Sequence, residues 1–152
     1  MSDVVVTRES TAPVERLWQV VTDWPGHGRF FPLTTVRVEP GVTGSGAAAA
    51  GARLHATTRI GPVRLHDRMV VTRWEPPGER GSCELRKVGP MLGGRALLEV
   101  EPSGSGSRLR WTTDVGPAPE RLRRLVAPVA KVSAIPLYRH VVRGMVREAE
   151  RG

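Results

Sequence analysis

Two charged residues interrupt otherwise apolar strand faces and are the first candidates for chemistry in this sequence. Asp67 lies between Leu65 and Met69 on one face of a predicted strand, and Lys87 follows Leu85 by two residues on the next strand. A carboxylate or an ammonium group in an apolar pocket is costly unless it is paired, and its pKa is often shifted toward values that suit proton transfer. One interpretation is therefore an ion pair, or a catalytic acid or base, in the wall of a cavity.

A more ordinary interpretation of the same two residues stays open, because proteins mostly pair or expose such charges. Asp67 would then lie near the rim of the sheet and pair with an arginine such as Arg59 or Arg95. The Lys87 side chain would extend along the apolar surface and reach water with its charged end.

Two aromatic residues, Trp111 and Tyr138, are placed to contact a flat ligand. Trp111 lies on the predicted inner face of the last strand, and Tyr138 follows Pro136 closely in a predicted C-terminal helix. Each ring can stack on a ligand or donate a hydrogen bond to it, although core packing explains both residues equally well. Together with Asp67 and Lys87, Tyr138 completes the set of candidate catalytic residues.

The other reactive side chains follow no pattern typical of a metal site or a nucleophilic enzyme. The four histidines lack the spacing of metal ligands on one helix, and a single cysteine, Cys83, excludes a C-x-x-C motif. His55 and His66 are expected to project outward from adjacent strands, and Cys83 to pack as a small apolar residue. The sequence contains neither a nucleotide-binding glycine loop nor a nucleophile elbow, so it predicts no metal and no cofactor.

The candidates are positioned by a succession of short elements with clear turn signals. Residues 4–7 form a β-branched strand, residues 14–21 an amphipathic helix, and residues 27–31 a second helical turn. Strands are then predicted at residues 51–60, 63–74, 79–88, 95–101 and 107–115, between turns rich in glycine and proline. The glycine- and alanine-rich residues 41–50 are predicted to form a loop between two strands.

The C-terminal helix begins after Gly116-Pro117, and its apolar stripe is expected to face the sheet. Pro128 and Pro136 should bend or break this helix, which would leave space beneath it. Alternation of side chains along each strand then assigns the residues that face this space, unless a bulge reverses them. We predict a cavity of roughly 300 Å³ or more. The predicted ligand-binding residues are Leu54, Thr58, Leu65, Asp67, Met69, Leu85, Lys87, Leu98, Trp111, Leu137, Tyr138 and Val141.

The order of elements and four short motifs resemble the START-like, or SRPBCC, superfamily. The motifs are Val-Thr-Asp-Trp-Pro at 21–25, the strand end at 69–77, the hairpin at 89–94 and Leu-Arg-Trp at 109–111. The resemblance implies one domain over residues 1–152 with an α+β helix-grip fold. In this fold a curved antiparallel sheet wraps around a long C-terminal helix, and two short helices follow the first strand. No activity-specific motif matches, so no catalytic residue is carried over.

Two classes of function are consistent with this resemblance, which covers polyketide cyclases and dehydratases as well as lipid-transport proteins. The first is the binding or transport of a hydrophobic small molecule, such as a lipid, a polyketide or an aromatic metabolite, in the cavity. The alternative is a cyclase or dehydratase in which a cavity acid or base assists proton transfer. The enzyme requires Asp67, Lys87 or Tyr138 to converge on one interior point. A cavity filled by side chains would instead favour an interaction module.

Composition limits the partners and the compartment. The net charge of +8 would suit nucleic acid, but the basic residues are spread along the chain without a recognition motif, so nucleic-acid binding is not expected. A length of 152 residues and one cysteine suit a single core in the reducing cytoplasm. No uninterrupted apolar run approaches the roughly 20 residues of a membrane span. Weak contact with a membrane surface is compatible with the charge, and the sequence leaves the oligomeric state open.

Overall fold

The structure of the chain is a computed structural model that describes residues 4–39, 50–117 and 119–151. The predicted loop at 41–50 therefore lies outside the described residues, apart from Ala50. The elements, in chain order, are β1 (Val4–Ser10), α1 (Val14–Val21), a 3-10 helix (Trp24–Arg29), β2 (Thr34–Glu39), β3 (Arg53–Ile60), β4 (Val63–Glu75), β5 (Gly81–Lys87), β6 (Leu92–Ser103), β7 (Gly106–Pro117) and α2 (Glu120–Arg151).

The seven strands form one antiparallel sheet in the order β1-β7-β6-β5-β4-β3-β2. Because β1 pairs with β7, the first and last strands are neighbours, and α2 packs against both of them. Two short helices follow the first strand, and the long helix closes the chain. The predicted α+β helix-grip fold is therefore confirmed.

Helix α1 forms because its apolar residues recur at helical spacing and are buried against the sheet and α2. Leu17 and Val21 are fully buried, and Trp18 is nearly so. The helix ends where the Thr22 hydroxyl donates a hydrogen bond to the Trp18 carbonyl at 2.7 Å. The chain then enters the 3-10 helix, with Pro25 in its first turn, where the missing N–H costs little.

Strand β4 carries one irregularity that changes which residues face inward. The pairing with β5 shifts between Val71 and Arg73, the signature of a β-bulge. Beyond the shift the Trp74 ring packs against the Trp18 ring of α1, with ring centroids 5.0 Å apart. The bulge therefore helps to fix α1 on the sheet.

Strand β6 begins earlier than predicted, at Leu92 instead of Arg95. The sequence analysis places Gly93 and Gly94 in a turn, but both pair with β7, and Gly94 has a φ of +113°. Glycine accepts this backbone conformation without steric cost, so the pair extends the strand instead of ending it. The extension brings Leu92 to the edge of the cavity described below.

Helix α2 continues through Pro128 and Pro136, so the expectation of a break at either proline is wrong. Its second half forms the centre of the core, where Val141, Val142 and Met145 are inaccessible to solvent. By length and composition α2 also qualifies as a candidate membrane span, with a mean hydropathy of 1.2 over an 18-residue window. This property is not evident from uninterrupted apolar runs, because charged and polar residues interrupt the apolar ones along α2. Only 11% of that window is buried.

Candidate ligand-binding cavity

A cavity of about 190 Å³ lies between the sheet, the segment that includes the 3-10 helix, and the middle of α2. It is smaller than predicted, because large aromatic side chains occupy one of its walls. Its lining residues are His27, Phe31, Thr34, Val36, Leu54, Ala56, Thr58, Leu65, Asp67, Met69, Leu85, Lys87, Leu92, Ala96, Trp111, Thr113, Leu137 and Tyr138.

Most of the residues predicted to bind a ligand face this cavity. They are Leu54, Thr58, Leu65, Asp67, Met69, Leu85, Lys87, Trp111, Leu137 and Tyr138. Leu98 and Val141 lie outside the lining, and both are fully buried in the core. Helix α1 packs over β6 and β7 at that level and fills the space between sheet and α2, so the cavity ends above these two residues.

The sequence analysis missed the contribution of the chain between α1 and β2. His27 and Phe31 line the cavity from this segment, with ring centroids 6.1 Å apart. Phe30 and Phe31 are the two phenylalanines of the whole chain, and Phe31 follows His27 by one helical spacing. That spacing is the signal from which a second apolar wall could have been predicted.

Asp67 and Lys87 meet inside the cavity. The Lys87 ammonium donates a hydrogen bond to Asp67 Oδ2, and it also lies 3.6 Å from the Met69 sulfur. The Lys87 and Asp67 side chains are only 7% and 19% exposed. Neither the Arg59 nor the Arg95 pairing considered for Asp67 occurs, so the structure supports the interpretation as an ion pair in the cavity wall.

Aromatic rings form the wall on the side of α2 and β7. The Trp111 and Tyr138 ring centroids are 5.7 Å apart, and the Phe31 ring lies 6.1 Å from each of them. The His27 ring lies 6.1 Å from Trp111. These tilted and edge-to-face arrangements are favourable between rings and leave ring surfaces available to a flat molecule.

Burial keeps the titratable groups of the aromatic wall uncharged. Desolvation lowers the pKa of His27 to about 4 and raises the pKa of the Tyr138 hydroxyl to about 12. His27 Nε2 lies 2.7 Å from the Val21 carbonyl, to which it donates a hydrogen bond. The other ring nitrogen of His27 therefore carries no proton.

Two polar atoms of the cavity residues have no hydrogen-bond partner. Asp67 Oδ1 is a buried acceptor, and Trp111 Nε1 is a buried donor. A buried polar atom without a partner costs roughly 1–3 kcal/mol. A ligand that carries both a donor and an acceptor can satisfy the two atoms and recover this free energy.

The remaining candidates lie away from the cavity. His55 and His66 are neighbours on the outer face of the sheet, with 3.1 Å between Nε2 and Nδ1. Cys83 is fully buried, and desolvation raises the pKa of its thiol to about 12. Among residues 4–39, 50–117 and 119–151, no group of three or more histidine, cysteine, aspartate or glutamate side chains is arranged to hold a metal ion.

With this geometry established, the sequence can be compared with known proteins. Residues 1–150 match the family described as "Polyketide cyclase / dehydrase and lipid transport". The chain belongs to this family. No curated protein matches the sequence.

Solved structures share the fold of this polyketide cyclase and lipid transport family member at low sequence identity. Protein TTHA0849 from Thermus thermophilus has a TM-score of 0.73 and 14% identity, and the match covers 97% of this chain and 96% of that one. The hypothetical protein jhp0584 from Helicobacter pylori has a TM-score of 0.75 and 11% identity, with 97% and 87% covered. Norcoclaurine synthase from Thalictrum flavum, in complex with dopamine and hydroxybenzaldehyde, has a TM-score of 0.63 and 16% identity, with 96% and 86% covered. At these identities the matches establish the fold alone.

Proposed function

We propose that this family member binds a small, neutral, ring-containing molecule with a hydroxyl group in the cavity between sheet and α2. The observation that carries the proposal is the pair of unpartnered polar atoms, Asp67 Oδ1 and Trp111 Nε1, in an otherwise apolar enclosure. A hydroxyl group of the ligand can donate a hydrogen bond to the carboxylate, and an acceptor elsewhere on the ligand can take one from the indole. Binding in an apolar cavity with a few polar anchors is the common design of small-molecule sites.

Cavity size selects among the ligands that the sequence analysis left open. An apolar cavity of about 150 Å³ is large enough to hold benzene, and this one is about 190 Å³. An aromatic metabolite of one or two rings therefore fits inside, whereas most of a lipid chain or a long polyketide would protrude. The ring surfaces of Phe31, Trp111 and Tyr138 also favour a flat molecule, because aromatic rings can stack on it.

Charge favours a neutral ligand. The Lys87 ammonium already pairs with Asp67, so the two charges compensate each other inside the cavity. A ligand anion would have to compete with Asp67 for Lys87, and a ligand cation would have to compete with Lys87 for Asp67. Breaking such a buried pair leaves an uncompensated charge, which is strongly unfavourable.

The norcoclaurine synthase complex supports the ring and the hydroxyl group of the proposed ligand. Its dopamine and hydroxybenzaldehyde are single-ring molecules with hydroxyl groups, bound by a protein of the same fold. At 16% identity this likeness supports a ligand of that type and carries no activity to the present chain.

An enzyme of cyclase or dehydratase type is the less favoured alternative. Efficient proton transfer requires a group whose pKa lies near the working pH. His27, with a pKa of about 4, and Tyr138, with a pKa of about 12, are both far from neutrality. Asp67 Oδ2 accepts a hydrogen bond from the Lys87 ammonium, so a proton taken up by Asp67 would leave that ammonium without its counter-charge.

The test measures the binding of 2-naphthol and of its methyl ether, 2-methoxynaphthalene, by isothermal titration calorimetry. We expect saturable one-to-one binding of 2-naphthol, and a methyl ether that binds about tenfold or more weakly because it has no proton for Asp67. Met69→Trp fills the cavity and should abolish binding. Thr72→Trp on the same strand is the matched control, because Thr72 is exposed and outside the lining.

Asp67→Asn separates the binder from the enzyme. If the protein only binds, this change should reduce the preference for 2-naphthol over its ether. There would then be no catalytic turnover for the change to abolish. Turnover of any substrate that disappears in Asp67→Asn while binding persists would favour the enzyme. Equal binding of the two compounds by the unaltered protein would contradict the proposed hydroxyl site.

The cytoplasm remains the compartment that we propose for this protein. A buried thiol such as Cys83 packs as a small apolar side chain, which suits a reducing environment without depending on it.

A further inference from the structure

Exposed apolar side chains are concentrated at one end of this molecule. Among the described residues, eleven large apolar side chains are strongly exposed, and all but Val5 lie either at the end of the sheet that holds the β3–β4 hairpin or on α2 between Leu122 and Leu137. Single exposed apolar residues are ordinary, but a contiguous group of this size indicates an interaction surface.

The first part of this surface, here called the rim, surrounds the cavity. It consists of Leu33, Ile60, Val63, Val88, Met91 and Leu137. In the antiparallel sheet the start of β2, the β3–β4 hairpin and the β5–β6 connection all lie at the same end. Each rim residue either lines the cavity or lies within three residues of one that does.

The second part, here called the stripe, lies on the exposed side of α2. Leu122, Leu125, Val129 and Val132 recur at helical spacing and are exposed, with Leu125 at 77%. The opposite side of this helix segment faces β1 and β7, where Ala127, Ala130 and Ala134 border Val4 and Thr113. A helix with an apolar face toward the protein and a second toward solvent has one face without a partner.

The charges around the rim and the stripe are almost all positive. Residues 121–147 of α2 contain seven basic residues and no acidic residue. The tip of the β3–β4 hairpin is an apolar turn flanked by Arg59 and Arg64, which are exposed and form no ion pair within the described parts of the chain. Arg121 and Lys131, beside the stripe, are also exposed and form no ion pair within the described residues.

We propose that the rim and the stripe dock this protein on the surface of an anionic lipid bilayer. Apolar side chains flanked by arginine and lysine suit the interface between membrane and water. There the apolar side chains reach the acyl chains, while the cations bind anionic headgroups. The proposal is independent of ligand identity. If the cavity also binds a hydrophobic molecule, docking would bring the rim beside the cavity against the bilayer, in which such a molecule dissolves.

Charge decides against a second copy of this chain as the occupant. A two-fold contact through the stripe would bring Arg121 and Lys131 of both copies together, and neither forms an ion pair within the described residues, whereas Arg124 is already paired with Glu120 at 2.7 Å. An anionic bilayer is complementary to the same cations. A bilayer can also contact the start of β2, the β3–β4 hairpin and the β5–β6 connection at once, because these three segments lie at the same end of the sheet.

The test is co-sedimentation of the full chain with vesicles. One set contains phosphatidylcholine alone, and the other contains phosphatidylcholine with about 30% phosphatidylglycerol. We expect binding to the anionic vesicles that weakens as salt is raised, and little binding to the neutral ones. Leu125→Glu should remove most of the binding, whereas Val5→Glu, an exposed apolar residue on the outer face of β1, should not.

A second pair of variants tests the charges. Arg59→Gln with Arg64→Gln should weaken binding about 25-fold, at roughly fivefold per cation near the surface. Arg8→Gln with Arg110→Gln removes the same charge from strands β1 and β7, away from the rim, and should change binding much less. Circular dichroism and thermal unfolding establish that every variant is folded.

Three results would overturn the proposal. Absence of binding to anionic vesicles would contradict the proposal as a whole. An equal loss of vesicle binding in Leu125→Glu and Val5→Glu would show that the stripe does not contact the bilayer. A dimer in sedimentation equilibrium that Leu125→Glu dissociates would assign the stripe to an interface between copies instead.

Discussion

His27 shows how a single buried side chain can link the cavity to the pH dependence of folding. Its ring lies within the aromatic wall, and its one proton is held on Nε2 by the Val21 carbonyl. The ring is neutral in the folded protein because burial lowers its pKa to about 4. In the unfolded chain the same group titrates near its ordinary value of 6.5.

The sign of the effect follows from these two values. Between pH 6.5 and pH 4 the unfolded chain binds a proton at His27 that the folded protein does not, so lowering the pH destabilises the folded state. Over that interval the lost free energy of unfolding is about 3 kcal/mol. Above pH 6.5 His27 contributes no pH dependence.

We expect His27→Gln to remove this contribution, because the glutamine amide can still donate to the Val21 carbonyl but does not titrate. Urea unfolding at pH 7.5 and pH 4.5 should show that the unaltered protein loses roughly 2–3 kcal/mol more than the variant. His140→Gln is the control, since His140 is exposed on α2 and should leave the difference unchanged. Identical losses in the unaltered protein and His27→Gln would mean that His27 titrates normally in the folded state.

At the scale of elements, the docking of α1 on the sheet depends on a glycine. Gly81 begins β5 directly beneath the Trp18 ring, and a Cβ atom at this position would lie 2.6 Å from Trp18 Cε3. Trp18 in turn packs on Trp74 beyond the bulge in β4. The close approach of ring and backbone therefore links α1, β4 and β5.

Gly81→Ala should lower the free energy of unfolding by about 1–3 kcal/mol, the usual cost of overpacking a core. Gly78→Ala, three residues earlier in the same connection, meets nothing within 4 Å and should be neutral or slightly stabilising. Urea unfolding followed by tryptophan fluorescence measures both. Equal stability of the two variants would show that Trp18 moves aside at no cost.

The elements also show how far sequence patterns extend. Alternation along β3, β4 and β5 correctly predicts that Leu54, Asp67 and Lys87 face one space, because side-chain direction in a strand is a local property. It does not predict that the space ends above Leu98, since that boundary depends on where α1 packs. The wall formed by His27 and Phe31 was missed for a different reason, because their four-residue spacing is a single interval and only packing against Trp111 shows which side faces the cavity.

At the scale of the whole molecule, packing is divided between two ends. At one end α1, β1 and the second half of α2 form a solid core around Val142 and Met145. At the other end the sheet and the middle of α2, at Leu137 and Tyr138, enclose the cavity, and the outer side of the first half of the helix is exposed. Pro128 and Pro136 each remove a backbone hydrogen bond from α2, and both lie in its first two-thirds.

This division predicts that the two ends open independently. Amides in residues 122–135 should exchange with deuterium about 100-fold or more faster than those in 141–148, because few buried contacts oppose local opening of the first segment. Hydrogen-exchange mass spectrometry of peptides from the two parts of α2 measures the difference.

Met145→Ala distinguishes local from global opening. Removing this fully buried side chain should cost about 2–5 kcal/mol of global stability. Amides that exchange only when the whole molecule unfolds, which we expect in 141–148, should then exchange much faster. Amides in 122–135 that open locally should keep their rates, because the free energy of their opening does not include the core around Met145. Parallel acceleration of both segments would instead mean that α2 opens as one unit and that the cavity end shares the stability of the core.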